Sequence, residues 1–267
     1  MGSEHTGMDR FIELLEGSRH CVFLSGAGIS TFSGIFDFRG KNGIYRRFDA
    51  DRIFDIDHFH SSPEYFYSHS REMVFSVGEK EPNFIHNTLA KMETAGMIKT
   101  LITQNIDMLH WKAGSRNLIE IHGSARENTC LSCGKKYSYE HVAKVVNNGR
   151  VPECVSCGGL IKPDIVFFGE MLDEGTITKA MIESSLADLF VVIGSSLVVQ
   201  PAASLPLCSI RNKGKLVIVN DMPTPLDEYA YLRYNDLEDV FRKLEKHFFR
   251  GQLQAEQKDE SSIKEKL

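Results

Sequence analysis

Four cysteines carry the most specific chemical signal in the chain. Cys130-x2-Cys133 is followed, after twenty intervening residues, by Cys154-x2-Cys157. Two such pairs, each beside a glycine (Gly134 and Gly158), suit tetrahedral zinc held by four thiolates. Four protein ligands close the coordination shell, so the single Zn2+ ion predicted here is structural and activates no water. Cys21 and Cys208 fall outside the pattern and read as buried thiols. A second signal is Gly26-Ala27-Gly28-Ile29-Ser30-Thr31, where glycines at the end of an apolar run let backbone N–H groups approach a phosphate. Thr31 stands where a dinucleotide fingerprint has its third glycine, so this segment alone reads equally as a tight turn without a ligand. Its weight comes from repetition. Gln104-Asn105-Ile106-Asp107, His122-Gly123, Gly194-Ser195-Ser196 and Asn220-Asp221 each close a further apolar run. His122 is the general-base candidate, because imidazole titrates near neutrality. His110, at the start of a helix, reads as structural.

These groups need a scaffold that gathers the ends of the apolar runs. The runs fall at 21–24, 100–103, 118–121, 165–168, 189–193 and 216–219. Several are apolar at consecutive positions, the pattern of parallel strands covered on both faces. Helical periodicity at 8–16, 83–95 and 176–187 alternates with them. The alternation predicts an α/β fold, an open parallel Rossmann-like sheet whose ligand lies outside the carboxyl ends of its strands. The sheet domain draws on 8–39, 83–125 and 160–247. An aromatic-rich helical lobe occupies 40–82, a small zinc ribbon is inserted at 126–159, and 251–267 reads as a polar, disordered tail. The composition is that of a globular protein: 267 residues, 42% hydrophobic and 25% charged. No apolar run approaches the ~20 residues that cross a bilayer, which excludes an integral helical membrane protein. A formal net charge of −5 argues against constitutive nucleic-acid binding. Residues 1–10 are polar and hold no apolar signal segment, so the expectation is a cytoplasmic chain with reduced thiols.

Taken in order, several stretches resemble the sirtuin family of NAD-dependent protein deacylases, in particular its compact bacterial members. They are Gly26-Ala27-Gly28-Ile29-Ser30, Ser33-Gly34-Ile35, Asp37-Phe38-Arg39-Gly40, 103–107 with Leu109-His110, Ala113-Gly114, His122-Gly123, the four cysteines, 163–170, 194–199 and Pro201-Ala202-Ala203. The resemblance implies roles for them. Gly26, Ala27, Gly28 and the helix start with Ser30 and Thr31 would cradle the NAD pyrophosphate. Gly194, Ser195, Ser196, Asn220 and Asp221 would meet the adenosine half, with Leu237 as an adenine wall. Gln104, Asn105, Ile106 and Asp107 would surround the nicotinamide and its ribose, with Asn105 and Asp107 catalytic beside His122. Phe38 would cover the sugar and Arg39 would sit near the phosphates. Val166, Phe168, Gly169 and Val199 would bind acylated-lysine protein substrates, the first three by strand addition. The implied products are free lysine, nicotinamide and O-acyl-ADP-ribose. The implied partners exclude nucleic acid and membranes, and the chain is expected to act as a monomer.

Two features depart from the family pattern. Phe36 replaces the usual proline before Asp37-Phe38-Arg39. Members that prefer acidic acyl groups carry Tyr-x-x-Arg in the acyl pocket, whereas here Tyr67 is followed by Ser70, and Arg71 comes one place late. One residue further round a helix points about 100° away, so acetyl and other neutral acyl groups are the expected substrates. Two other readings of the same residues are protein ADP-ribosyl transfer and a non-catalytic NAD-sensing adaptor.

Overall fold

A computed structural model of the chain describes residues 7–37, 43–46 and 48–264. β1 (Cys21–Ser25) lies inside a six-stranded sheet. β2 (Thr100–Thr103) and β3 (Leu118–Glu120) extend it on one side. On the other side stand β7 (Leu189–Ile193), β8 (Lys215–Val219) and β9 (Leu232–Tyr234), giving the order β3-β2-β1-β7-β8-β9. Every pairing in this sheet is parallel. Because β1 pairs with β2 on one side and β7 on the other, the topological switch point lies at β1 and β7, and the carboxyl ends of these strands open a crevice there.

Every residue of β1 and β7 is buried, and alternate side chains serve two cores. Phe23, Val191 and Val217 pack with Phe11, Leu89 and Phe241 from the helices Gly7–Gly17, Phe84–Thr94 and Leu237–Lys264. Val22, Leu24, Phe190, Val192 and Ile218 pack on the opposite face with Ala180 of Glu174–Leu186 and Leu205 of Leu205–Arg211. Helices on both faces are the reason the strands are apolar at successive positions. The helix starts are set by side-chain caps. Asn83 accepts from the Ile85 N–H at 2.9 Å, and Asp173 accepts from the Thr176 N–H at 2.7 Å.

A second, antiparallel sheet has the order β5-β4-β6, from Lys136–Ser138, Gly123–Cys130 and Ile161–Ile165. Here the structure departs from the sequence reading. The run 165–168 is no strand of the parallel sheet; its first residue ends β6, and Phe167 enters an aromatic cluster instead. That cluster joins Phe54, Phe59 and Phe66 of the lobe to Tyr139, Val142 and Ile161 beside the cysteines. Lobe and ribbon therefore share one core, consistent with the small apolar surface that each could bury alone. β4 and β6 also run past the expected 126–159 insertion. The edge strand β9 is three residues long and only half-buried, which left no apolar run to find. The last helix continues to Lys264 with a break at Phe249 (φ −127°, ψ 19°), so the backbone of 251–264 is helical where composition suggested disorder.

Candidate active site

The carboxyl ends of the central strands open into one cavity of about 520 Å³, a size suited to a small organic ligand. Gly26, Ala27 and Gly28 line it after β1, and Gln104, Asn105 and Ile106 after β2. Gly194, Ser195 and Ser196 follow β7, Asn220 and Asp221 follow β8, and His122 stands between β3 and β4. Five clusters distant in sequence thus meet in one crevice.

The segment after β1 is a 3-10 helix, Ala27–Ser33. The Gly26 N–H donates to the Ile193 carbonyl at 3.0 Å, and the Gly28 N–H donates to the Gly194 carbonyl at 2.9 Å. These amides tie the turn to β7, so the two glycines serve close backbone approach. A Cβ on Gly28 would lie 2.9 Å from Gly194 Cα, and one on Gly194 would lie 2.6 Å from Ile29 N. Gly194 also has a left-handed φ of 58°, which favours glycine. The two turns therefore meet backbone to backbone, at contacts that side chains would force apart, and Ser196 and Asn220 stand further along the cavity wall. That cradle fits the pyrophosphate and sugars of a dinucleotide.

Asp107 is buried behind this wall. Its carboxylate accepts from Ser30 Oγ at 2.6 Å and from the Leu109 N–H at 3.0 Å. Burial raises its pKa, and those two donors oppose the rise. Asn105 Nδ2 donates to the Gly26 carbonyl at 3.1 Å and lies 3.2 Å from Ser30 Oγ. Ser30 is therefore a tie between Asp107 and Asn105, and Thr31 donates to the Gly28 carbonyl at 2.8 Å; both shape the turn and neither lines the cavity. Gln104 Oε1 accepts from Ser195 Oγ at 2.6 Å, which links the ends of β2 and β7. Leu237 is a correction: it packs in the core with Phe11 and Phe241, away from the cavity wall, because it begins a helix laid against the sheet. Phe38 and Arg39 lie outside the described residues.

His122 has a defined tautomer. Its Nδ1 lies 3.0 Å from the Gln104 carbonyl oxygen. A carbonyl only accepts, so Nδ1 carries the proton and Nε2 keeps its lone pair. Burial lowers the His122 pKa, and the Gln104 carbonyl opposes that shift. The outcome is a neutral imidazole in a cavity, the state a general base requires. Met108 (φ 65°), just after Asp107, and Leu197 (φ 52°), just after Ser196, hold left-handed backbones. Such strain gathers at functional sites.

The opposite wall includes Val166, Phe168, Gly169 and Val199. The Val166 N–H donates to the His122 carbonyl at 2.9 Å. The Phe168 N–H donates to Phe54, and its carbonyl accepts from the Ile56 N–H. Backbone pairing to a peptide is thus closed to Phe168, which offers its ring, 39% exposed. The Val166 carbonyl and Gly169 amide form no hydrogen bond among the described residues. Two positioning residues gave no signal in the sequence. Arg233 donates to the Asn220 carbonyl at 2.6 Å and the Met222 carbonyl at 2.7 Å, and it pairs with Asp227, which sets the loop after β8. Lys162 bonds the Ile165 carbonyl at 2.8 Å and Glu170 at 2.9 Å, and Glu170 accepts the Phe167 N–H at 2.7 Å. Both act through backbone carbonyls that have no residue-type signature.

Away from the cavity, the Sγ atoms of Cys130, Cys133, Cys154 and Cys157 all lie within 4.8 Å of one another. Cys130 and Cys157 are 3.5 Å apart, and Cys133 and Cys154 are 3.6 Å apart. Tetrahedral zinc with Zn–S bonds of ~2.3 Å needs sulfurs about 3.8 Å apart, so the cluster fits that ion. The Tyr137 hydroxyl donates to Cys154 Sγ at 3.0 Å and pulls the thiol down to about 5, toward the thiolate that a metal binds.

The Sir2 family model matches residues 26–201. An NAD-dependent protein deacetylase of Thermotoga maritima is 51% identical over 228 residues, covering 85% of this chain and 92% of the relative. NAD-dependent protein deacylase 2 of Archaeoglobus fulgidus is 43% identical over 216 residues, covering 80% and 85%. A solved Sir2 structure with deacetylated p53 peptide and 3′-O-acetyl-ADP-ribose superposes with a TM-score of 0.87 at 49% identity, covering 90% of this chain and 98% of the other. A Sir2 structure with p53 peptide and NAD+ gives 0.84 at 47%, covering 92% and 99%. By sequence, by fold and by the cavity in which His122 stands, this chain belongs to the Sir2 family.

Proposed function

We propose that the cavity binds NAD and an acylated lysine together, and that the chain is an NAD-dependent protein deacetylase releasing nicotinamide and O-acyl-ADP-ribose. The observation that carries this reading is the His122 tautomer: a neutral imidazole with a free Nε2 lone pair, held at the switch point of a parallel sheet. NAD, when bound, supplies the ribose carbon that takes up the acyl oxygen as nicotinamide leaves. This chain's residues then have distinct tasks. The turn at Gly26, Ala27 and Gly28 receives the pyrophosphate, with the Ala27 N–H as its donor, because the two glycine amides are taken by the Ile193 and Gly194 carbonyls. Asn105 and Gln104, each anchored to a neighbouring strand, shape the nicotinamide end. His122 Nε2 accepts a proton from a ribose hydroxyl, and its Nδ1–H donates to Gln104 throughout. The Val166 carbonyl and the Gly169 amide take the peptide backbone. Apolar residues such as Ile106, Phe167 and Phe168 along the cavity favour a neutral acyl-lysine over an ammonium, which would lose its hydration there.

The choice of neutral acyl groups has structural support. Tyr67 is buried and its hydroxyl donates to the Ile161 carbonyl. Ser70 is fully buried, and the Arg71 guanidinium lies beside Gly149. Neither the Tyr67 phenol nor the Arg71 guanidinium lines the cavity. Incubation with NAD and an acetyl-lysine peptide, read by mass spectrometry, tests the reaction. Nicotinamide, free lysine peptide and acetyl-ADP-ribose are expected in equal amounts; a stable ADP-ribosyl peptide would overturn it. We further infer a cytoplasmic monomer, in keeping with a four-thiol cluster that suits a reducing compartment. Cell fractionation and light scattering test that placement and that state.

A further inference from the structure

Beneath the floor of the cavity lies a second polar set that the reaction above does not use. His86, on the helix Phe84–Thr94, and His110, on the helix Leu109–Lys112, are 0% and 2% exposed. Their rings meet edge to face with centroids 4.8 Å apart. The neighbours assign the protons. The Asn83 N–H donates to His86 Nδ1 at 3.3 Å, so the proton of that ring sits on Nε2, which has no partner among the described residues. His110 Nε2 lies 2.8 Å from Ser25 Oγ, and its Nδ1 is unpartnered. Ser25 Oγ donates to Thr103 Oγ1 at 2.8 Å, and Thr103 Oγ1 also accepts the Asn105 N–H at 3.0 Å. A hydroxyl holds one proton, so Ser25 accepts from His110, whose proton is on Nε2 and whose lone pair is on Nδ1. The two rings touch edge to face with no hydrogen bond between them, and His86 Nε2 and His110 Nδ1 are each without a partner among the described residues.

We propose that His110, Ser25 and Thr103 form a neutral hydrogen-bond relay of one direction, and that His110 is the positioning residue that holds Asn105 at the nicotinamide end of the cavity. A neighbouring set, in ring contact with His110 through His86, holds the phosphate turn. Asn83 Nδ2 donates to the Ile29 carbonyl at 2.8 Å and to Ser33 Oγ at 3.0 Å, and the Ser25 carbonyl accepts the Gln104 N–H at 3.0 Å. The 104–107 segment thus hangs from Ser25 and Thr103, and the turn after β1 hangs from Asn83, the cap that also bonds His86. Burial pushes the pKa of both histidines down, in keeping with neutral rings. This inference rests on the reading that the 104–107 segment meets NAD.

The test joins histidine 15N NMR of the full chain to steady-state kinetics. Both rings are expected as Nε2–H tautomers. His110→Leu is expected to raise KM for NAD about tenfold or more and to slow nicotinamide exchange, with KM for the acetyl peptide unchanged. His110→Gln keeps an N–H at similar reach and is expected to restore most of the loss. Ser25→Ala is expected to give the same split. An Nδ1–H tautomer at His110, or a folded His110→Leu protein with wild-type KM for NAD, overturns the proposal; if His110→Leu fails to fold, Ser25→Ala decides by the same criterion. Wild-type deacetylation is the control. Its absence would sink the functional reading, while the tautomers would still decide the relay.

Discussion

Replacing His122 with alanine removes the only imidazole that the described residues place on the cavity wall. Deacetylation is expected to fall by about 10²–10⁴-fold, the usual worth of a positioned base, with NAD affinity largely kept; calorimetry beside turnover checks both. Burial lowers the pKa of this ring, so its base form persists below the ordinary value of ~6.5. The acid limb of kcat/KM is therefore expected below pH 6.5 and absent from the residual activity of His122→Ala; a limb at or above 6.5 would contradict the assignment. Acyl scope is also a matter of single side chains. With Ser70 buried and Arg71 beside Gly149, a succinyl carboxylate would not meet the tyrosine–arginine pair that offsets its desolvation. A succinyl peptide is expected to react at least about tenfold less efficiently than its acetyl twin, and equal efficiency would refute this.

Two elements carry loads that neighbouring residues cannot share. The turns after β1 and β7 touch backbone to backbone, and Gly194 sits at the contact with a left-handed φ. Gly194→Ala adds strain and a clash with Ile29, for an expected loss of about 2–3 kcal/mol together with weaker NAD binding. Chemical denaturation checks the first effect and titration the second; an unchanged midpoint would show that the contact can relax. The four-cysteine ribbon shares its core with Phe167, one residue from Val166. Zinc loss should therefore reach the peptide wall. Cys130→Ala is expected to abolish metal content and activity together, with circular dichroism showing a loosened small domain. Full activity without metal would make the ribbon dispensable.

For the molecule as a whole, the two buried histidines set an acid limit. Burial pushes His86 down to about 3 and His110 well below its ordinary value. Folded, both stay neutral; unfolded, both take up protons below pH ~6.5. The unfolded state then binds more protons, so stability falls as pH drops from about 6.5 toward 3. Each histidine contributes up to about 1.4 kcal/mol per pH unit in that window. Urea melts at pH 7 and pH 5 are expected to show this slope, and His86→Leu is expected to flatten it. An equal slope in the variant would place the acid sensitivity elsewhere.

Much of this was legible along the chain. Consecutive apolar residues at 21–24 and 189–193 implied strands covered on both faces, and every residue of β1 and β7 is buried. Cysteine spacing implied a tetrahedral site, and polar clusters at strand ends implied one crevice. Each inference rests on a local pattern that physics ties to one geometry. Contacts between distant segments have no such pattern. Gly28 abuts Gly194, His86 abuts His110, and the lobe and ribbon share one aromatic core. Phe168 has its backbone groups taken by Phe54 and Ile56, and Leu237 lies in the core. These follow from how finished elements pack, where shape and the pairing of every buried polar group act at once, and no periodicity records that.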